Sequence, residues 1–334
     1  MVEILKKNWF VVLIAILLCG FSIYYVWDTT KDFVKGKSVD GKELIASIDG
    51  YDLTADDLYD EMSRFSVSQL YYRFRNAVIE QSVTEETDEM KEAAKTLRSN
   101  LEAQAQSSTS SSGSSADDLI ADMLKNVGLG EDELDRFCML AQKEAVLQRN
   151  YVKEHFDDLM KDVKNPHVIS IIELAVNDAS SLTDDEKASQ EKIDQALEDG
   201  SAFADVAKEQ SQSTISDENG FYGYIDEKTS SSTTFTDDML KAALALKEGE
   251  TSAWVKVDSD SGDKLVLIHA DTVGKDAVKE SDNNDVWSSL VSTLVNRNST
   301  LASEILFNAA DQLDIKFTDE NMESRLRIYA GLDE

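Results

Sequence analysis

Nineteen consecutive residues, Trp9 to Trp27 (WFVVLIAILLCGFSIYYVW), carry no charge. At about 1.5 Å per residue a helix of this length spans roughly 28 Å, close to the hydrocarbon thickness of a bilayer. Aromatic residues crowd both ends (Trp9 and Phe10, then Tyr24, Tyr25 and Trp27), as side chains that settle at a membrane interface do. A cleaved signal peptide would have a shorter apolar stretch and a small-x-small exit, and lipid attachment at Cys19 would call for small residues where Leu17 and Leu18 stand. The run therefore predicts an uncleaved transmembrane anchor. Lys6 and Lys7 precede it and Lys31, Lys35 and Lys37 follow, so basic residues alone do not orient it.

Beyond the anchor the chain must fold in water, and its charge limits its partners. The 334 residues hold 65 Asp and Glu against 33 Lys and Arg, a net charge of −32. That excludes nucleic acid, whose phosphates need concentrated Lys and Arg. An apolar fraction of 42% supports real cores. Two distant cysteines, Cys19 and Cys138, exclude a disulfide framework or a Cys-based zinc site. The histidines His155, His167 and His269 are isolated, and no metal ligands or cofactor motif are predicted.

Residues 28–42 are polar and read as a linker. A short strand, Leu44 to Ile48, then meets an Asp49-Gly50 turn, and Thr54 with Asp56 and Asp57 behind it reads as a helix start. Leu58, Met62, Phe65, Leu70, Phe74 and Val78 come next at helical spacing. A charged helix runs to about Gln106, where the Ser-rich run 107–115 reads as a flexible linker. A helix through Leu119, Met123 and Val127 stops at Gly128, and Leu134, Phe137, Leu140, Leu147 and Tyr151 continue the pattern, with Cys138 beside the stripe. Pro166, the one proline, marks a break. Beyond it lie a β-rich run over 168–176, helices over Asp184–Glu198, Phe203–Glu209 and about Asp237–Leu246, the segment FYGYI, and strands at Trp254–Val257 and Leu265–His269. A single helix is predicted over Val286–Leu313.

The α+β segment resembles the parvulin family of peptidyl-prolyl isomerases. Gly200–Ser211 (GSAFADVAKEQS) is similar to the family's Gly-x-x-Phe-x-x-hydrophobic-Ala-x-x-x-Ser helix, and Asn219–Ile225 (NGFYGYI) to its Gly-Gly-x-Leu-Gly-aromatic turn with the first Gly replaced. Phe235–Ser252 is similar to its run of Phe, paired Ala, Leu-Lys-x-Gly-Glu and Ser. The opening ELIASIDGYDLTADDLYDEM resembles extracytoplasmic foldases of the SurA and PrsA type, in which a helical chaperone lobe from both chain ends brackets the parvulin domain. The resemblance implies an α+β fold: a parvulin-like four-stranded sheet with surrounding helices, plus that helical lobe and an N-terminal transmembrane helix. It divides the chain into a cytoplasmic tail (1–8), an anchor (9–27), a linker (28–42), an N-terminal helical region (43–165), a parvulin-like domain (167–275) and a C-terminal helical segment (276–334). It places the bulk of the chain outside the cell, on a single-pass anchor.

Family members implied by this resemblance use an apolar proline pocket and a hydrogen-bonded pair of histidines on two core strands. Here Phe235 and Met239 fall at the pocket positions, with Tyr222 and Tyr224 as further candidates. The histidine positions fall at Ile172 or Glu173 and at Lys264, so the catalytic pair is not matched. The expectation is a membrane-anchored extracytoplasmic foldase that binds unfolded or newly exported polypeptides, needs no cofactor, and has weak or lost isomerase activity. Two alternatives stay open: a non-catalytic adaptor docking one fixed partner, and an isomerase with unconventional site residues. Asp258–Asp263 (DSDSGD) lacks the Gly and the Glu of a calcium loop and reads as a hydrated turn. The triplet Asn298-Ser299-Thr300 reads as the surface of the last helix.

Overall fold

The computed structural model describes residues 37–39, 42–48, 51–54, 67–258, 262–317 and 320–333. The apolar run 9–27 and the helix start after Thr54 lie outside them. No helix among the described residues is long and apolar enough to cross a membrane. The chain divides into two compact units, Met1–Val67 and Ser68–Glu334.

In the first unit β1 (Lys37–Val39), β2 (Lys42–Ile48) and β3 (Tyr51–Thr54) form an antiparallel three-stranded sheet in that order. The expected linker 28–42 thus gives way to strand at its C-terminal end, where Val39 pairs with Lys42. The sequence reason is Asp40-Gly41, a hairpin dipeptide equivalent to the Asp49-Gly50 that separates β2 from β3.

The second unit begins with helices α1 (Val67–Ser82), α2 (Asp88–Ser112), α3 (Ala116–Asn126) and α4 (Leu134–Glu154), then the single turn α5 (Phe156–Leu159). Thr87 caps α2 by accepting from Met90 N at 3.2 Å, and Gly113 ends it at φ 72°. Residues 107–112 of the Ser-rich run are therefore the last turns of a 25-residue helix, and only 113–115 join it to the next. Hydroxyls that favour irregular backbone here bond back within the helix, Ser107 and Ser108 to Gln104 O and Thr109 to Gln106 O. A reciprocal Ser115/Asp118 capping box starts α3, and Gly128 (φ 74°) turns the chain toward α4. Val78, Ile79, Leu124, Leu134 and Cys138 bury together with Leu306, Ala309 and Ala310 of the C-terminal region, so both sides of the chain build this helical lobe.

A four-stranded antiparallel sheet comes next, β4 (His167–Val176), β5 (Phe221–Ile225), β6 (Val255–Val257) and β7 (Asp263–Val273), in the order β5-β4-β7-β6. Its helices are α6 (Asp184–Glu198), α7 (Phe203–Gln210) and α8 (Asp237–Leu244). Side chains alternate across the central strands. Ile169, Ile171, Val266 and Ile268 pack with Phe235, Met239 and Ala243 on the α8 face. Ile172 and Leu267 pack with Ile193, Phe203 and Val206 on the α6/α7 face. Burial of each such large side chain contributes roughly 1.5–3 kcal/mol.

The chain ends in α9 (Lys275–Lys279), α10 (Asn284–Arg297), α11 (Leu301–Gln312) and α12 (Glu320–Tyr329). The single helix expected over 286–313 is two. Asn298 leaves the helical conformation (φ −114°, ψ 101°) and its Oδ1 accepts from Thr300 N and from the Thr300 hydroxyl, the local competition that makes Asn a helix breaker. The Asn298-Ser299-Thr300 triplet accordingly sits in the break and not within a helix. The apolar stripe survives the break: Val286, Leu290, Leu294, Leu301 and Ile305 enter one cluster.

Candidate functional site

Glu173 lies two residues beyond Ile171 on the same face of β4, and Lys264 lies two residues before Val266 on β7. Glu173 pairs with Val266 in the strand register, which puts Lys264 on its diagonal, within reach of a long side chain. Lys264 Nζ donates to Glu173 Oε1 at 2.7 Å; the carboxylate side chain is 3% exposed and the lysine 25%. The other candidate, Ile172, points to the opposite face, fully buried against Ile193 and Phe203. The two sequence-marked positions on the α8 face therefore meet, as an ion pair.

Past the end of β5 the edge of β4 is covered by the loop after α7. Glu173 N donates to Ser211 Oγ at 3.1 Å, Gln212 N to Glu173 O at 2.8 Å, and Ala175 N to Gln212 Oε1 at 2.8 Å. Both the backbone and the side chain of Glu173 are thus satisfied within the protein.

Phe235 and Met239 come together at the start of α8, where Thr236 accepts from Met239 N at 3.3 Å. Phe235 is 2% exposed and Met239 0%, and the ring of Tyr222 lies flat on Phe235 with centroids 4.5 Å apart and an 18° interplanar angle. Burial holds the Tyr222 phenol above the ordinary tyrosine range.

Tyr224 departs from expectation. It packs on the helical side with Phe156, Met160 and Trp287, away from Phe235. Its hydroxyl donates to Asp226 Oδ2 at 2.9 Å, and burial first, then the adjacent carboxylate, raises its pKa. Asp226 is wholly buried, bonded to Arg297 at 2.5 Å and accepting from Lys228 N at 2.7 Å. Ser289 of α10 closes this junction by accepting from Tyr224 N at 2.8 Å. A Cβ on Gly223, whose φ is +122°, would collide with Ser289 Oγ. Gly223 thus lets α10 rest on bare β5 backbone.

Neither strand histidine joins Glu173. His167 is 3% exposed, with Nδ1 3.0 Å from Asn165 O and Nε2 3.0 Å from Leu246 O. His269 faces α7, stacked on Phe203 at 5.0 Å, with Nδ1 2.9 Å from Thr251 Oγ1. Among the described residues no three His, Cys, Asp or Glu side chains gather as a metal site. Sequence reading missed the Asp226–Arg297–Tyr224 junction. An acid directly after the apolar strand FYGYI was its one local signal, and its partner lies 71 residues away.

The "Rotamase: PPIC-type PPIASE domain" family matches residues 167–270, the stretch that holds the whole four-stranded sheet up to the last residues of β7. The chain carries a parvulin-type rotamase domain. "Foldase protein PrsA" of Clostridium kluyveri is 37% identical over 109 residues, which are 30% of this chain and 31% of that protein. The match thus spans about a third of that relative's length. Among solved structures, PrsA from Bacillus subtilis aligns over 85% of this chain and 98% of its own, with 19% identity and a TM-score of 0.43. A SurA-like chaperone structure from Campylobacter jejuni aligns over 83% and 100%, with 17% identity and a TM-score of 0.24.

The turn of the rotamase domain explains its own departure from the family pattern. Gly220, at the second Gly position, has φ +86°, and a Cβ there would meet Ala207 Cβ and Ile171 O at 2.8 Å. Asn219, at the first, is not among the described non-Gly residues of positive φ, Asn165 and Asp314, so replacing Gly there costs no backbone strain.

Proposed function

We propose that this protein is a membrane-anchored extracytoplasmic foldase that binds unfolded or newly exported polypeptides and whose rotamase domain has weak or no isomerase activity. The observation that carries the second half is the Glu173–Lys264 pair. Rotation about a prolyl amide faces a barrier of about 18–20 kcal/mol. A catalyst lowers it by binding the twisted amide better than the planar one, with polar groups held free for that purpose in a dry pocket. Here the two polar groups on the α8 face neutralise each other, and Tyr222 covers Phe235.

The foldase half is supported by the rotamase match, by the relative's name, and by a helical lobe assembled from both sides of the sheet domain. The charge-free run 9–27 supports the anchor, which would hold the lobe at high local concentration near emerging chains. The net charge of −32 keeps a client-binding surface soluble and favours basic clients.

Two assays on the full chain test this reading. Aggregation of several unrelated unfolded proteins should be suppressed, while a protease-coupled proline-peptide assay should give turnover close to the uncatalysed rate. Turnover matching an active parvulin would overturn the loss of activity. Failure to protect any client, with one stoichiometric partner captured instead, would favour a fixed-partner adaptor.

A further inference from the structure

We infer that α10 locks the rotamase sheet to the helical lobe through two ties on β5, so that sheet and lobe turn as one rigid body. The lock needs neither a client nor isomerase activity, and it gives the sheet a mechanical role as a brace.

The chain enters the sheet past Pro166 and leaves it at Gly274, and the two crossings lie side by side. His167 pairs with Val273, and Gly274 N donates to Pro166 O at 2.9 Å. A domain hung on two adjacent crossings can pivot about them, and such motion is the default unless a large apolar interface opposes it. Here β5 lies on the far side of β4 from β7, with Ile225 opposite His167, and α10 packs along it. The first tie is Ser289, whose Oγ accepts from Tyr224 N at 2.8 Å and occupies the space a Cβ on Gly223 would take. The second is Arg297 in the last turn of α10, which donates to Asp226 Oδ2 at 2.5 Å and to Thr229 Oγ1 at 3.2 Å. From Ser289 to Arg297 the helix rises roughly 12 Å, at about 1.5 Å per residue. One contact would leave a pivot, whereas two at that spacing fix a direction. Apolar packing fills the junction, since Tyr224 shares a buried cluster with Trp287 and Leu290 of α10 and with Phe156 and Met160 from before β4.

Burial makes the second tie the stronger one. Asp226 is 0% exposed, and its polar atoms are all engaged inside the protein. Oδ2 accepts from Tyr224 and Arg297, Oδ1 accepts from Lys228 N, and its own N–H donates to Thr229 Oγ1. A carboxylate so enclosed is tolerated only while its cation is in place, so a swing of α10 off β5 would strand it. Beside the crossings the ion pair is of the weak kind: Lys279 reaches Asp157 at 2.7 Å, with the two side chains 43% and 80% exposed.

The test places two nitroxide spin labels on the full chain in detergent micelles, one in the lobe at Ala103→Cys and one on α6 at Glu198→Cys. Both positions are exposed, and Cys19→Ser and Cys138→Ser remove the native thiols. The distance distribution between the labels should be a single narrow peak. Arg297→Met should widen it about twofold or more while circular dichroism shows the helices intact. Tyr224→Phe combined with Ser289→Ala removes the first tie and spares the ion pair; it should widen the peak about 1.5-fold, and it decides the matter if Arg297→Met does not fold. Lys279→Met should leave the width unchanged. A broad or two-peaked distribution before any substitution at the junction would overturn the lock. So would an unchanged width in every junction variant that folds, or equal widening by Lys279→Met.

Discussion

Two ion pairs of nearly equal length stand in very different surroundings. In the rotamase domain Lys264 reaches Glu173 at 2.7 Å with the carboxylate side chain 3% exposed; in the helical lobe Lys143 reaches Glu86 at 2.8 Å with the carboxylate 44% exposed. Each pair has one buried partner: the first buries its carboxylate and leaves Lys264 25% exposed, and the second buries Lys143, 9% exposed, and leaves its carboxylate in water. The contrast extends beyond these pairs. In the sheet domain the conspicuous polar groups are matched internally: Glu173 with Lys264, Asp226 with Arg297 and Tyr224, His167 with two carbonyls. In the lobe, amides along α4 face cavities without partners among the described residues. A group already satisfied by the protein has little to offer a ligand.

The hardest test of that contrast is Arg297→Met. It leaves Asp226 buried and short of its cation, and we expect a loss of about 3–5 kcal/mol in urea unfolding. A loss below about 1 kcal/mol would show that water reaches the junction. Lys264→Met should cost somewhat less, about 3 kcal/mol, since part of the lysine is exposed and the Glu173 backbone keeps its own bonds. Tyr224→Phe removes one hydrogen bond and should cost about 1 kcal/mol at neutral pH. The same change should alter the alkaline limb. Because the folded-state pKa of Tyr224 lies above its ordinary value of 10.0, its contribution is fully present below about pH 10 and declines as pH rises beyond that. Unfolding measured from pH 9 to 11 should therefore fall less steeply in the phenylalanine variant; an unchanged slope would remove Tyr224 from the account. Lys143→Met should have the smallest effect, about 0.2–1 kcal/mol, and should shrink further in high salt. If it matched Lys264→Met, burial of the carboxylate left behind would not be what separates the two pairs.

Much of the sheet domain was legible because its signals are local. The acidic helix begins at Asp184 and ends at Glu198 as its Thr183 cap and Gly200 suggest, and β4 starts directly after Pro166. The short FYGYI strand is reproduced at Phe221–Ile225. Failures fall where two local tendencies compete or where a partner is distant. Serine hydroxyls promised a linker, yet they bond within the helix they end. Asn298 splits a stripe whose apolar spacing gave no hint of a break. Phe235 and Met239 share one cluster, and only packing reveals Tyr222 stacked on Phe235. Tyr222 and Tyr224 are two residues apart, which on a flat strand would put them on one face. The bulge opposite Ile169 and Ser170 and the bare backbone of Gly223 accompany their separation.

Composition and spacing by themselves determined the class of the chain: acidic, with two distant cysteines and an α+β segment between helical ones. Those are properties of residues and their near neighbours, where chain geometry leaves few choices. Only the tertiary structure decided that Glu173 and Lys264 neutralise each other, that Arg297 reaches back 71 residues to Asp226, and that the cavities lie beside α4. Charge pairing and cavity shape depend on which distant segments meet and on how much water is left between them, and no local pattern encodes either.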